Sequence, residues 1–394
     1  MPGVLRITAE ERRARLGVRH RLAAGARIDH AVAIAGGVVA LHSTDPATVF
    51  LSAAARMVTP SVERLERALY DDRLLVRTLG MRRTMFVLAV PMVAVVQAAC
   101  TDALVAGERK RTQGMLEEAG VPDAGRHLRE LEAAALAAIE DAGEATGAEI
   151  SKAVPGLRQK FVVGVGTKWE GTIGLTTRVL FLLATEQKIV RGRPKGGWTS
   201  SQYRWSPMSA WVPAAAAAPS AEEARVELCR RWLEAFGPAP LTDLKWWSGL
   251  NLGQVRKAVA ALDVVEVDLD GAPGIVLAGD VEPTPAPAPW VALLPALDPT
   301  TMGWQRRGWY LGDYAKSLFD TNGNAGPTVW CDGRVIGGWA QRKATGEVVF
   351  RLLEDAGAEV SAAVEAEAAR LTDWLGDVRI TPRFPTPIQR QLSA

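Results

Sequence analysis

Apolar and polar residues along this chain follow patterns that predict the same group of elements three times. In each group, helices precede two strands that are joined by a short basic or Gly-rich turn. Apolar residues spaced three to four positions apart indicate amphipathic helices, whereas alternation over a few residues indicates strands. Helices followed by a β-hairpin are the outline of a winged helix, a variant of the helix-turn-helix. The pattern favours tandem winged helices, although unrelated α+β domains can produce a similar repetition.

The first group extends from about residue 5 to residue 95. The sequence TAEE at Thr8 to Glu11 is a capping-box pattern that opens a helix, and Asp29 is expected to cap a second helix. VVALHS is a short apolar strand, after which Asp45 and Pro46 start a third helix. LLVRTLGMRRTMFVLAV predicts two strands around Gly80.

The second and third groups follow the same order. In the second, LTTRVLFLLATEQKIV predicts an amphipathic helix that leads into a strand, and RGRPKGGWTSSQYRW predicts the wing, with Pro194 in its turn. The third begins at Ser220 and ends in a hairpin, VVEVDLDGAPGIVLAG. PTPAPAP, at 283–289, predicts a stiff linker to a last region of short strands and an acidic helix.

These segments define the expected fold class, which is α+β with three tandem winged-helix units and a C-terminal β-rich, barrel-like domain. A length of 394 residues is enough for several domains. The expected bounds are 1–95 for the first winged helix, 96–212 for a helical connector and the second, 213–282 for the third, and 283–394 for the β-rich domain.

Composition narrows the class of protein further. Hydrophobic residues make up 48% of the chain and charged residues 23%, as in globular proteins. The three cysteines, Cys100, Cys229 and Cys331, are far apart and lack metal-ligand spacing, which favours a reducing compartment. The longest largely apolar run, 85–99, is shorter than the roughly 20 residues that span a bilayer. We therefore expect a soluble, cytoplasmic protein without a membrane partner.

The distribution of charge says more about partners than the net charge of +2 does. The segment from Lys188 to Arg204 carries five basic residues and no acidic one, and a second basic cluster surrounds Gly80. Separated charges of this kind present a basic face to DNA, and Trp198 and Tyr203 within the segment favour a wing that contacts phosphates; a solvated face is the alternative. The candidate DNA-binding residues are Arg77, Arg82, Arg83, Lys188, Arg191, Arg193, Lys195 and Arg204.

Several segments together resemble the winged-helix DNA glycosylase family of the AlkZ/YcaQ type. LHSTDPATVFLSAAARM is similar to the family segment in which a polar–apolar–polar motif precedes a helix. LVRTLGMRRTMFVL resembles the family's hairpin, and FGPAPLTDLKWWSGL and LLPALDPTTMGWQRRGW resemble its later signatures. Each motif is weak by itself, but their order and spacing cover nearly the whole chain.

The resemblance implies three winged helices and a β-barrel-like domain around a cleft that holds double-stranded, damaged DNA. It also implies hydrolysis of the N-glycosidic bonds of alkylated purines, including bulky genotoxin adducts and crosslinks. Neither a metal nor an organic cofactor is expected, and the protein is expected to act as a monomer.

The chain departs from the family where the two polar catalytic residues are expected, because it has His42 and Thr44 there, separated by Ser43. A second departure is Phe86, at a position where the family has a histidine. An alkylated purine is already a good leaving group, so the enzyme mainly positions water and stabilises positive charge. A neutral His42 would orient or deprotonate that water, Thr44 would hold it, and Asp45 would stabilise the oxocarbenium.

Each of these three residues also has a purely structural interpretation. Asp45 before Pro46 is typical of a helix cap, Thr44 of a turn, and His42 of a strand end that satisfies a local hydrogen bond. His20, His30 and His127 are interpreted as structural. We also predict that Trp246 and Trp247 pack in a core rather than stack on a base.

Three functions therefore remain open at this point. The first is a DNA glycosylase with His42, Thr44 and Asp45 as catalytic residues. The second is a non-catalytic winged-helix regulator or lesion sensor, which the departure at His42 and Thr44 favours. The third is a protein that sequesters a genotoxin in its cleft.

Overall fold

The computed structural model describes residues 4–163, 166, 170–212 and 218–393. The strands are β1 (Leu5–Arg6), β2 (Leu41–His42), β3 (Leu75–Leu79), β4 (Met85–Ala89), β5 (Ala145–Thr146), β6 (Lys160–Val163), β7 (Gly171–Gly174), β8 (Ile189–Pro194), β9 (Tyr203–Pro207), β10 (Val264–Leu269), β11 (Ala272–Leu277), β12 (Val291–Leu294), β13 (Thr328–Cys331), β14 (Arg334–Gln341) and β15 (Val348–Leu352). The helices are α1 (Ala9–Arg19), α2 (Ala31–Gly37), α3 (Pro46–Ala54), α4 (Val62–Glu66), α5 (Val90–Val96), α6 (Asp102–Glu118), α7 (Ala124–Ala142), α8 (Gly147–Ala153), α9 (Leu175–Thr185), α10 (Ala221–Phe236), α11 (Leu241–Ser248), α12 (Leu252–Val259), α13 (Gly308–Leu311), α14 (Ala315–Leu318), α15 (Ala358–Leu375) and α16 (Pro387–Leu392). The expected α+β class is confirmed.

One order of elements occurs three times in this chain: a helix, a short strand, two helices, and a hairpin whose second strand pairs with the short strand. In the first unit these are α2, β2, α3, α4 and β3–β4, with strand order β2-β4-β3. In the second unit they are α7, β5, α8, α9 and β8–β9, with strand order β5-β9-β8 and with the separate hairpin β6–β7 inserted between α8 and α9. In the third unit the helices are α10, α11 and α12, and the hairpin is β10–β11. The short strand is reduced to one residue, Ala239, which follows α10 and forms a β-bridge with Ile275 of β11.

Helix starts in the first unit follow from local side-chain chemistry. Thr8 caps α1 by accepting a hydrogen bond from the Glu11 amide, which is one half of the predicted capping box, while the Glu11 carboxylate accepts from Arg15 instead. Asp45 caps α3, and Pro46 occupies the first turn, where a missing amide hydrogen costs nothing. The prediction that Asp29 caps α2 is wrong, because the helix starts one residue later and His30 accepts from the Ala33 amide. The Asp29 carboxylate instead accepts from the Thr59 amide.

The C-terminal region is built on a four-stranded antiparallel sheet in the order β12-β13-β14-β15. Helix α15 packs against β12 and β15, and Trp330 and Trp339 lie buried in this region. Within the described residues the sheet is open, with β12 and β15 at its edges, so the expected barrel is not found. The sequence patterns had not predicted β12 or the short α16.

Two large apolar cores support the units. One core is continuous through the first unit, the third unit and the C-terminal region, and includes Phe50, Trp232 and Trp330. A separate core lies within the second unit and includes Leu128, Val179 and Leu183. The first and third units and the C-terminal region therefore support one another directly. The second unit has its own core, and residues in and near its β8–β9 hairpin also join the shared core, namely Val190, Trp198, Met208 and Trp211.

A continuous helix from Val90 to Glu118 links the first unit to the second. Its 29 residues and a window of mean hydropathy 1.6 would permit a membrane crossing by length and composition alone. However, Val93 and Val96 are buried in the first core, and Glu108 forms an ion pair with Arg178 of α9. These contacts are those of a helix packed between two parts of a folded chain.

Candidate functional site

A cavity of about 440 Å³ opens beside His42, where residues of the first unit, the third unit and the C-terminal region meet. We call it the His42 cavity. Its volume is within the range of roughly 300–1,000 Å³ that is usual for ligand pockets. The cavity is lined by His42, Thr44, Arg82, Thr84, Trp246, Leu297, Met302, Gln305, Arg307, Asn322, Gly323, Asn324 and Phe384.

His42 is held on β2 with one ring nitrogen already occupied. The side chain is 5% exposed, and its ring meets the edge of Phe86 on β4 with centroids 5.0 Å apart. The Thr44 amide donates to His42 Nδ1 at 3.4 Å, so Nδ1 is the acceptor and the ring hydrogen resides on Nε2. Burial, and to a lesser extent Arg82, lower the pKa of His42 to about 3. His42 is therefore a neutral imidazole that presents an N–H donor.

Thr44 and Asp45 face different surroundings although they are adjacent in the sequence. Thr44 lines the His42 cavity, and its buried Oγ1 has no hydrogen-bond partner among the described residues. Asp45 lines a separate, smaller cavity together with Gln341 and Gln389. Its carboxylate accepts from the Ala47 amide, and burial raises its pKa. The structure thus brings together two of the three predicted catalytic residues, and Asp45 serves as a helix cap.

Two arginines give the His42 cavity its charge. The guanidinium groups of Arg82 and Arg307 lie over the Trp246 ring, with Cζ 4.1 Å and 4.9 Å from its centroid. Burial and the neighbouring Arg307 lower the pKa of Arg82 to about 10, so it remains a cation at neutral pH. Among the described residues no carboxylate lines this cavity. The prediction that both tryptophans pack in a core holds for Trp247, whereas Trp246 is only partly buried and lines the cavity.

Close packing between two units holds Arg82 in place. Arg82 lies in the turn between β3 and β4 with a positive φ of 51°, a conformation that is uncommon for a residue with a side chain. This turn packs on Gly249, which ends α11 with φ 77°. A Cβ atom at Gly249 would come within 3.2 Å of the Arg82 backbone nitrogen. Glycine at this position therefore provides both the left-handed conformation and the close approach.

The segment that carries Arg307 is held by buried carboxylates. Asp243 of α11 accepts hydrogen bonds from the Gln305 and Arg306 amides at 3.2 and 2.9 Å. Earlier in the segment, Asp298 forms a fully buried ion pair with Arg56 of the first unit at 2.8 Å. These bonds fix the wall between 297 and 307 against the first and third units.

The same buried ion pair belongs to a wider polar network, in which Arg56 Nε has no hydrogen-bond partner among the described residues. The Asp298 carboxylate also accepts from Ser52 Oγ, and Arg56 also donates to Thr300 Oγ1. His20 Nδ1 lies 2.8 Å from Thr300 Oγ1, and His20 Nε2 lies 3.0 Å from the Ala235 carbonyl. His20 therefore has the structural role that was predicted for it.

A second, larger cavity of about 770 Å³ adjoins the first and shares Thr44 with it. We call it the wing cleft, because β3–β4 of the first unit and β8–β9 of the second form its walls. Four cationic side chains line it, and among the described residues no carboxylate does. Its lining is Ser43, Thr44, Pro46, Arg77, Met85, Thr146, Gly147, Ala148, Ser151, Thr176, Thr177, Leu180, Phe181, Arg191, Lys195, Ser201, Gln202, Tyr203, Trp205 and Arg383.

Two of these cations lie over one tyrosine at the floor of the wing cleft. Cζ of Arg77 is 4.8 Å and Cζ of Arg191 is 5.8 Å from the Tyr203 ring centroid. Arg77 donates to Ser43 Oγ, which links it to the segment that follows His42. Burial lowers the pKa of Arg191 to about 10. The guanidinium groups of Arg77 and Arg191 thus share an aromatic surface without an acidic partner among the described residues.

The eight predicted DNA-binding residues divide into two sets of four. Arg77, Arg191 and Lys195 line the wing cleft, and Arg82 lines the His42 cavity. The other four form ion pairs, which are Arg83 with Glu108, Lys188 with Glu186, Arg193 with Glu66 and Asp71, and Arg204 with Glu144.

Trp198 in the wing turn does not reach a DNA surface, contrary to the expectation that it helps the wing to contact phosphates. It is 9% exposed and packs against Phe50 and Trp374, at centroid distances of 5.1 and 5.8 Å. The wing turn is therefore fastened to the first unit and to α15 by an apolar contact.

Several site residues were missed by sequence reasoning. Arg307 and Gln305 lie in the segment GWQRRGW, which was noted only for its resemblance to the family. Arg383 lies in a Pro-rich tail that gave no signal, yet it lines the wing cleft. Among the described residues no group of three or more His, Cys, Asp or Glu side chains is arranged to hold a metal ion.

Comparisons with known proteins identify the family and the fold of this chain. The model of the family described as AlkZ-like DNA glycosylase matches residues 35–374, and the chain belongs to that family. A solved structure with the same fold is the Streptomyces sahachiroi DNA glycosylase AlkZ, with a TM-score of 0.71 and 22% sequence identity over 96% of this chain and 100% of that chain. No curated protein is similar enough to this chain to add a further relative.

Proposed function

We propose that this protein binds duplex DNA in the wing cleft and hydrolyses the N-glycosidic bond of a damaged base held in the His42 cavity. The observation that carries the proposal is the charge of the two adjoining cavities. Together they are lined by six cationic side chains, and by no carboxylate among the described residues. A polyanion fits such a lining, because each phosphate that is neutralised releases counterions.

The repeated units provide the scaffold for this proposal. Each has the order of elements of a winged helix, a known DNA-binding form of the helix-turn-helix, and we assign all three units to it. The wing cleft lies between the first and second hairpins, and hydroxyl groups at the start of α8 and α9 line it beside the arginines. Hydroxyl and guanidinium groups are the side chains that contact DNA phosphates most often.

In the His42 cavity, Thr44 and His42 take different parts in the reaction. The unpartnered Oγ1 of Thr44 is the group that holds the attacking water. His42 does not act as a general base in this arrangement, because Nδ1 accepts from the Thr44 amide and the pKa of the ring is about 3. Instead its Nε2–H donates a hydrogen bond to the base as the glycosidic bond breaks. Asp45 acts only through the cap that it provides to α3.

The chain belongs to an AlkZ-like DNA glycosylase family, and the first substrates to examine are those that the sequence resemblance implies, alkylated purines and bulky adducts in duplex DNA. The direct measurement is release of the free base from such duplexes by the purified protein. Removing one positioned donor from an active site typically lowers the rate by roughly 100- to 1,000-fold. We expect His42→Ala to lower base release by about that factor, while the affinity for duplex DNA changes less than twofold. His127→Ala, on α7, is the matched control.

A non-catalytic lesion sensor is the second candidate, and the absence of a carboxylate or a basic histidine in the described lining of the His42 cavity favours it. This alternative predicts duplex binding with a steep salt dependence, no base release, and no effect of His42→Ala. A protein that releases no base from any damaged duplex, yet binds it, would establish the sensor and disprove the glycosylase.

A further inference from the structure

The His42 cavity is built from hydrogen-bond donors and cations. The neutral His42 presents Nε2–H, and Arg82 and Arg307 add two guanidinium groups. Asp320, the nearby carboxylate of the Asn322–Asn324 turn, accepts hydrogen bonds within that turn and does not line the cavity. This lining is suited to negative charge.

Damaged bases differ in the charge that they carry before and after the glycosidic bond breaks. A purine alkylated at N7 is a cation in DNA and leaves as a neutral base. An unalkylated keto base, such as a deaminated purine, is neutral in DNA and leaves with an extra electron pair, as an anion. Both kinds of base receive the electron pair of the breaking bond, but only the second becomes a net anion, which fixed donors and cations stabilise. The alkylated purine is a cation when it binds, so the same positive charges repel it before the bond breaks.

We propose that the His42 cavity selects neutral keto bases that leave as anions, and disfavours cationic alkylpurines, because His42, Arg82 and Arg307 surround the leaving base with donors and positive charge. This inference rests on the proposed function. The C1′–N bond breaks, and its electron pair remains on the base nitrogen. The water held by Thr44 forms the new C1′–O bond, and the proton that it loses neutralises the departing base, so that the products are an abasic site and the free base.

The positions of the two arginines support a role at the base. Both guanidinium groups lie over Trp246, which lines the cavity with them, and a planar guanidinium group is itself a surface on which a base can stack. Arg307 also donates to the Trp304 carbonyl at 2.8 Å, and its guanidinium group lies over Phe319, with Cζ 4.5 Å from the ring centroid. Gly249 fixes the turn that carries Arg82. The cations are thus held in the cavity wall by packing rather than by acidic partners.

A comparison of two duplexes tests the proposal, one with a single deoxyinosine and the other with a single 7-methyldeoxyguanosine. Release is measured in single turnover at pH 7.5 and divided by the release without protein. We expect the accelerated release of hypoxanthine to exceed that of 7-methylguanine at least tenfold. Arg307→Gln should lower hypoxanthine release by roughly 100-fold, the usual effect of losing one such donor, with unchanged duplex affinity. Arg307→Lys should retain part of the rate.

Arg306→Gln is the matched control, because Arg306 is exposed and does not line the cavity. Release of 7-methylguanine without hypoxanthine would overturn the inference and leave the proposed function intact. If Arg307→Gln lowered the release of both bases equally and also weakened duplex binding, Arg307 would be a phosphate contact. That result would also overturn the inference. If the protein released neither of these two bases and no other damaged base, the inference and the proposed function would both be overturned.

Discussion

The His42 cavity and the wing cleft share Thr44 and a cationic lining, but they differ in what surrounds the cations. In the His42 cavity, Arg82 and Arg307 lie on Trp246 beside amide side chains. In the wing cleft, the cations lie beside hydroxyl groups of α8 and α9. Both sets of cations lie over an aromatic ring, Trp246 in one and Tyr203 in the other, so the difference is in the polar neighbours. Amide side chains read base edges, whereas hydroxyl groups contact phosphates. One lining is therefore suited to selecting a base and the other to holding the strand.

The largest expected effect comes from breaking the buried Arg56–Asp298 ion pair, which holds one wall of the His42 cavity. Arg56→Met leaves Asp298 as an unpaired buried carboxylate, and the loss of one partner of a buried pair costs about 3–5 kcal/mol. We expect urea titration to show a loss of this size in the free energy of unfolding. The wall at 297–307 belongs to the His42 cavity alone, so base release should fall further than duplex affinity does.

Arg64→Met provides the control for that measurement, because the pair of Arg64 with Asp29 is exposed to solvent. Exposed pairs contribute about 0–1 kcal/mol. Equal losses of stability in the two variants would show that the Arg56–Asp298 pair does not support the cavity wall.

The next largest effect is that of acid on stability, which acts through the histidine of the His42 cavity and has no counterpart in the described lining of the wing cleft. Burial lowers the pKa of His42 and of His20 to about 3, whereas unfolded histidine titrates near 6.5. The unfolded chain therefore binds protons that the folded chain does not, so stability is complete above pH 6.5 and falls as the pH decreases towards 3. At pH 5 each histidine should cost about 2 kcal/mol.

The share of each histidine can be measured separately. His42→Gln should reduce the difference in unfolding free energy between pH 7.5 and pH 5 by about 2 kcal/mol. No histidine lines the described part of the wing cleft, and His42, with a pKa of about 3, stays neutral at pH 5 in the folded protein. Histidine titration should therefore change neither duplex affinity nor base release over this range while the protein remains folded. An unchanged pH difference in His42→Gln would show that His42 titrates normally.

The sequence predicted these cavities to different extents. The repeated order of elements, the Asp45 cap and the wing of the second unit follow from local patterns and were predictable. The pairing of Arg82 with Trp246 was not, because the two residues lie in different units and meet only through the close packing of Gly249. Nor does a basic run reveal which of its members have acidic partners, as Arg193 and Arg204 show.

The smallest expected effect concerns single contacts at the rim of the wing cleft. Lys195 and Arg383 are exposed and line the cleft, so Lys195→Gln and Arg383→Gln should leave the fold intact. Each phosphate contact contributes about 0.9 to the slope of log affinity against log salt concentration, so each variant should reduce that slope by about 1. Fluorescence anisotropy with an undamaged duplex gives the measurement.

The control for the rim variants is Arg126→Gln, because Arg126 is exposed on α7, pairs with Asp123 and does not line the cleft. Its slope should equal that of the wild type. If the rim variants lowered base release from bound duplex without changing the salt slope, the two cavities would have exchanged the roles proposed for them. If all three variants changed the slope equally, DNA would contact the surface broadly. If the salt slope changed only in Lys195→Gln and Arg383→Gln, the DNA strand would lie in the wing cleft. Thr44, which lines both cavities, would then lie between the bound strand and the base in the His42 cavity.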